Sequence, residues 1–232
     1  MATFIFPREA AQCQDTWVQE DFAGTNNAAN VVLAARGTAA ARRRIFIRFA
    51  DIAAQIPNTW TIGSSVLTLF NAISDGTART FSVHVPSTAN AGWTTALTWN
   101  FRLPSSARWP GDAASDGGTD AGCTVATTDF VAVAEGTIAY TASTPLDTPH
   151  TVSLLASTQA IVTGGVNTGW LIVLPDAVAN FTFHSNEAAN AALRPTLTVQ
   201  AYPPVSLGRK SMLGASFLRG VPHGVLVPKV RR

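Results

Sequence analysis

An all-β antiparallel sandwich is the fold class this chain predicts, on three observations. Apolar and polar residues alternate with a period of two in most patterned segments. Clusters of Gly, Pro, Ser and Asp recur between those segments at turn spacing. No long stretch keeps the period of a helix. At 232 residues the chain is long enough for one large β domain that buries its own core.

The strands follow in order. Over residues 44–49, Ile45, Ile47 and Phe49 share one face while Arg44 and Arg48 share the other. Residues 66–70 and 170–174 are apolar on both faces, as expected of central strands covered on each side. In residues 81–85, Phe81, Val83 and Val85 point inward and Ser82 and His84 outward. Residues 147–160 are expected to form one or two helical turns, with Thr151, Leu154, Leu155 and Ile161 inward. Residues 105–124 are unpatterned and are expected to be a long exposed loop. Leu197 and Val199 give the last strand its buried row. Turns are marked by 74–77, 104–106, 110–112, 116–119, 164–165 and 175–176.

The character of the chain changes after Tyr202, which divides it into a sandwich over 1–202 and an extended arm over 203–232. The arm holds Arg209, Lys210, Arg219, Lys229, Arg231 and Arg232 and no acidic residue. The body keeps 10 of the 16 Lys and Arg against all 14 Asp and Glu, so it is near −4 and the arm near +6. Leu207, Met212, Leu213, Phe217, Leu218, Val225 and Leu226 punctuate the basic residues. Solubilising tails are poor in such apolar anchors, so these residues are read as partner-anchoring.

Charged residues are only 13% of the chain, about half the usual share of roughly 25%. A surface of small neutral groups suits crowded contact with neighbours. Arg42, Arg43 and Arg44 form a short basic cluster read as surface or interface charge, and a net acidic body excludes a nucleic-acid face. No apolar run approaches the roughly 20 residues that span a bilayer. Residues 1–8 show no basic-then-apolar leader, and folding in a bacterial or host cytosol is the expectation. Cys13 and Cys123 are too few for a disulfide framework or zinc site and are expected in or near the core.

Six segments in sequence order resemble the DNRLRE-type domain, a jelly-roll β-sandwich related to carbohydrate-binding modules. They are residues 14–18 with the Asn-rich turn 24–27, residues 43–49 with Ile56 and Pro57, residues 62–70, the Trp93-to-Trp99 segment, residues 167–174, and residues 181–187 followed by 194–199. The resemblance covers most of residues 12–202 and implies a jelly-roll topology, with the arm outside it. Two departures are Thr168 where an aromatic is usual and Ala50 where Asp is common.

No catalytic constellation and no cofactor or metal motif is read in the sequence. His184 and Glu187 are read as a structural turn rather than an acid–base pair. Asp112, Asp116 and Asp120 lack the terminal Glu of a Ca²⁺ loop and are read as solvated. Trp93, Trp99 and Trp170 are expected in the core. Trp60 and Trp109 lie in loop-like surroundings and are the candidates for stacking on a sugar. The expected role is a non-enzymatic structural module of a tailed-phage virion, made in the host cytoplasm. It would oligomerise within an assembly of other virion proteins, adhere to a host-surface glycan, and have no nucleic-acid or membrane partner. The alternative is a carbohydrate-binding module of a secreted, extracellular polysaccharide-degrading system.

Overall fold

The computed structural model describes residues 1–7, 10–103, 107–112, 122–174 and 180–205. Along them run β1 (Ala2–Phe6), β2 (Cys13–Gln19), β3 (Val32–Ala35), β4 (Arg43–Phe49), α1 (Ile52–Gln55), β5 (Thr61–Phe70), β6 (Arg79–His84), β7 (Phe101–Leu103) and β8 (Ala107–Arg108). They are followed by β9 (Gly136–Tyr140), β10 (Pro149–Ser153), α2 (Leu155–Val162), β11 (Trp170–Val173), β12 (Phe181–His184) and β13 (Thr196–Tyr202).

Two antiparallel layers form the sandwich. One has the order β1-β13-β5-β10 and the other β2-β4-β11-β6-β9, while β3 pairs with β12 and β7 with β8. The chain crosses between layers after β1, β4, β5, β9 and β10, so partners within a layer come from distant parts of the sequence. Between the layers, Ile45, Ile47, Phe49, Phe81, Val83, Trp170 and Ile172 meet Leu67, Leu69, Val152, Leu197 and Val199. Phe181 and Phe183 of β12 close this core against Phe81, with centroids 5.1 Å apart in each pair. Each such side chain stabilises the fold by about 1.5–3 kcal/mol when withdrawn from water.

The inward rows of β4, β6 and β13 are buried as the alternation predicts, with Val85 half-buried against the same core. Residues 170–172 and 174 are buried on both faces, as expected. Residues 66–70 are not: Leu67 and Leu69 face inward, whereas Val66 and Phe70 stand half-exposed on the outer surface. The helical expectation for 147–160 is corrected in its first half. Pro149–Ser153 pairs with β5 as a strand, and α2 begins only at Leu155. Leu154 and Ile161 do point inward, but Thr151 and Leu155 are exposed.

A second core covers the outer face of the five-stranded layer. Val18, Phe46 and Leu171 project there and are buried by Trp93, Leu97, Trp99, Trp109, Cys123 and Phe130. This corrects the exposed-loop expectation for 105–124, whose described ends are buried at Trp109, Gly122 and Cys123. It also corrects the polar face of β4. Arg44 is buried and donates from Nη1 to the Cys123 carbonyl at 2.8 Å. Arg48 donates to the carbonyls of Ala91 (3.0 Å) and Trp93 (2.9 Å), its guanidinium 4.6 Å from the Trp93 ring centre. A guanidinium can do this because its planar donors fork to several carbonyls while its face lies on an indole. Both cysteines are free and buried, as expected.

Candidate functional site

The sandwich is plugged at one end by α2, and the residues that fix this helix also shape a cleft. Ser157 offers its N–H to Glu135 Oε1 at 2.8 Å, so a carboxylate from the approach to β9 caps the first turn, where the helix dipole favours negative charge. Thr158 Oγ1 lies 2.7 Å from Ser65 Oγ, and Trp170 Nε1 donates to Ser157 Oγ at 2.8 Å. Gln159 accepts the Ile62 N–H through Oε1 at 2.7 Å and donates from Nε2 to the Trp60 carbonyl at 3.4 Å.

Between these anchors lies a cleft of about 440 Å³ lined by Ile62, Glu135, Ser153, Leu155, Ala156 and Gln159. Its apolar wall comes from Ile62, Leu155 and Ala156, and its polar groups are a carboxylate, a hydroxyl and a carboxamide. Glu135 Oε2 is enclosed and has no hydrogen-bond partner among the described residues. Such a wall offers C–H contact, and such polar groups exchange hydrogen bonds with hydroxyls. Trp60 is half-buried and does not itself line the cleft: its backbone carbonyl bonds Gln159, while its ring packs against the main core and meets Phe4 edge-on at 6.2 Å.

Trp109 is corrected. It is only 1% exposed, donates from Nε1 to the Trp99 carbonyl at 2.8 Å and stacks on Phe46, so neither ring face is open to a sugar. Its neighbours in sequence, Arg, Pro and Gly, gave no signal that a second core would enclose it. Trp93, Trp99 and Trp170 are buried as expected. Arg42, Arg43 and Arg44 are not a free basic patch: Arg42 pairs with Glu20 at 2.7 Å and Arg43 with Asp21 at 3.7 Å, and Arg44 is internal.

His184 and Glu187 are not brought together as a pair. His184 Nε2 lies 2.8 Å from Asp147 Oδ1, at a groove of about 320 Å³ walled by Val31, Val32 and Leu193. Glu187 stands instead beside Asp15, whose carboxyl is pushed up to about 8 by burial and then by the Glu187 charge. The alternation of Cys13, Asp15 and Trp17 along β2 was the signal for this buried carboxylate, and sequence reasoning passed over it. Asp112 is buried and paired with Arg108 at 3.0 Å. Asp116 and Asp120 lie outside the described residues, as do all the arm's anchoring residues from Leu207 to Arg232.

The four-stranded layer has a further property. None of β1, β5, β10 and β13 contains Asp, Glu, Lys or Arg. Cross-strand rows such as Thr196, Thr68, Thr151 and Gln200, Ser64 line its outer side.

The model of carbohydrate-binding module family 96 matches residues 8–114. The chain carries a carbohydrate-binding-module-like domain. The match spans β2 to β8 and includes Trp60, while Glu135 and Gln159 fall beyond it. No curated protein matches the chain.

Proposed function

We propose that this protein is a non-catalytic glycan-binding module that takes a sugar in the cleft beside Trp60. The observation that carries the reading is the cleft itself, where Ile62, Leu155 and Ala156 give an apolar wall and Glu135, Ser153 and Gln159 polar groups, with Gln159 bonded to the Trp60 backbone carbonyl. Aliphatic surface packs on the C–H face of a pyranose, while the carboxylate and amide select its hydroxyls. The test is a glycan array followed by titration calorimetry on the best ligand. Glu135→Gln and Trp60→Ala should each weaken binding several-fold while the protein stays folded. Unchanged affinity in both variants would place the sugar elsewhere.

A second reading, a module that fastens into a tailed-phage virion, is favoured by the charge-free outer side of the four-stranded layer and by the basic–apolar composition of residues 203–232. A neutral sheet face loses little hydration when a neighbour covers it. On this reading glycan adhesion is a second role of the same sandwich.

A further inference from the structure

The outer side of the four-stranded layer begins at the cleft. Ser153 ends the exposed row of β10 and also lines the cleft. From it one row runs across the layer through Val66 and Thr198 to Ile5, and the next runs through Ser64 and Gln200 to Thr3. Tyr202 follows Gln200 on the same side of β13, where Leu197, Val199 and Ala201 turn inward. Its side chain is 43% exposed. The ring lies over Gly63, where a Cβ would collide with its Cε2. One face of the phenol is therefore seated on backbone and the other is turned to solvent. The register shift of β13 against β5, between Gln200 and Ala201, brings this glycine under the ring. An aromatic seated in this way is a flat surface that loses little freedom when a ligand covers it.

We infer that the sugar in the cleft is one unit of a neutral polysaccharide chain, whose further units leave over Ser153 and cross the outer rows to stack on Tyr202. The inference rests on the cleft reading and names the substrate class for it. Neutrality follows from charge. The four strands carry no Asp, Glu, Lys or Arg, and among the described residues Glu135 is the one charged group that lines the cleft. A uronate or sulfated chain would meet a carboxylate at one end and no cation along these strands, although such groups are normally received by Arg or Lys. The hydroxyls of Ser64 and Thr198 and the amide of Gln200 can exchange hydrogen bonds with sugar hydroxyls, and no ion has to be desolvated. The open face of Tyr202 packs on a C–H surface. Chain length follows from the register. Ser153 lies two strands from β13, and Tyr202 lies four residues along β13 from Thr198, a separation of roughly 16 Å at about 4.8 Å per strand and 3.3 Å per residue. One pyranose ring cannot touch both ends.

The test is calorimetric titration of the whole protein with neutral β-1,4-glucan, mannan and xylan oligosaccharides, from disaccharide to hexasaccharide, and with polygalacturonate as the charged counterpart. Affinity should rise with chain length, and polygalacturonate should not bind. Tyr202→Ala should lower hexasaccharide affinity about three- to tenfold and leave disaccharide affinity unchanged. Thr198→Glu, which sets a charge on the path, should act in the same direction, while Tyr202→Phe should keep the wild-type values. Thr198→Glu keeps Gly63 covered, so it reports on the path even where Tyr202→Ala folds poorly. Equal affinity for short and long chains would overturn the inference and leave the cleft reading standing. So would hexasaccharide binding unchanged in Tyr202→Ala and Thr198→Glu, or tight binding of polygalacturonate. Absence of binding at every length would instead overturn the cleft reading, and this inference with it.

Discussion

The Trp109 indole stacks on the Phe46 ring with centroids 5.2 Å apart and planes 24° apart. Phe46 belongs to a strand whose neighbours Ile45 and Ile47 lie in the main core, so this contact joins the two hydrophobic clusters of the molecule through one strand. Trp109→Ala should therefore destabilise the protein by about 3–5 kcal/mol, measured by urea unfolding. Under conditions where the variant remains folded, glycan affinity should not change. A selective loss of binding with normal stability would return Trp109 to the sugar site.

The second core explains how much of the fold was legible in the sequence. Period-two alternation located the strands and their inward rows at Ile45, Ile47, Phe81, Val83, Leu197 and Val199, because one face of each is buried between layers. The outer face of β4 was read as polar from Arg44 and Arg48, yet it is covered. Alternation reports which residues are apolar, and a guanidinium half-buried on Trp93, or buried and bonded to the Cys123 carbonyl, is polar yet packed within the fold. The cleft beside α2 was invisible for another reason. Ile62, Glu135, Ser153 and Gln159 are brought together only by strands that cross between layers, and none of them stands out locally in the sequence.

Gly169 opens the turn into β11 with φ +69°, and a Cβ built there would lie 2.4 Å from the Ile47 carbonyl oxygen. Both the backbone conformation and the space demand glycine. Ile47 belongs to a central strand that has no freedom to retreat. Gly169→Ala should cost more than about 1 kcal/mol, read as a lower urea midpoint. The same change at Gly24, where nothing lies within 4 Å, should be nearly neutral.

The acid limb of the stability curve should be set partly by two ion pairs. Hydrogen bonds from Arg42 hold Glu20 below the usual carboxylate range, and those from Arg79 do the same for Asp75. A carboxylate whose folded pKa is lowered contributes stability above its unfolded pKa, near 4. It loses that contribution as pH falls through the folded value. Each pair is worth below about 1 kcal/mol at a partly wet surface. Glu20→Gln with Asp75→Asn should flatten the fall in melting temperature below about pH 4 and lower stability slightly at pH 7. An unchanged acid limb would mean that other carboxylates govern it.

The attachment reading assigns the arm a role separable from the fold. β13 ends at Tyr202, whose last pairings are Ala201 with Ile62 and Tyr202 with Thr61, and Ala201 also pairs with Ala2 of β1. A cut after Tyr202 therefore keeps every ladder pairing found among the described residues. The 30 residues beyond could reach about 100 Å at roughly 3.3 Å each when extended. Ordering them costs on the order of 1–2 kcal/mol per residue of backbone entropy, while wet charge pairs return below about 1 kcal/mol each. The apolar anchors must then supply most of the binding, with the basic groups setting register. Phe217→Ala should weaken attachment more than Arg232→Ala, and truncation after Tyr202 should leave the melting temperature unchanged while abolishing co-sedimentation with the assembly. Normal incorporation of the truncated protein would move attachment to the sandwich, where the charge-free rows of Thr68, Thr151 and Thr196 offer the surface to mutate next.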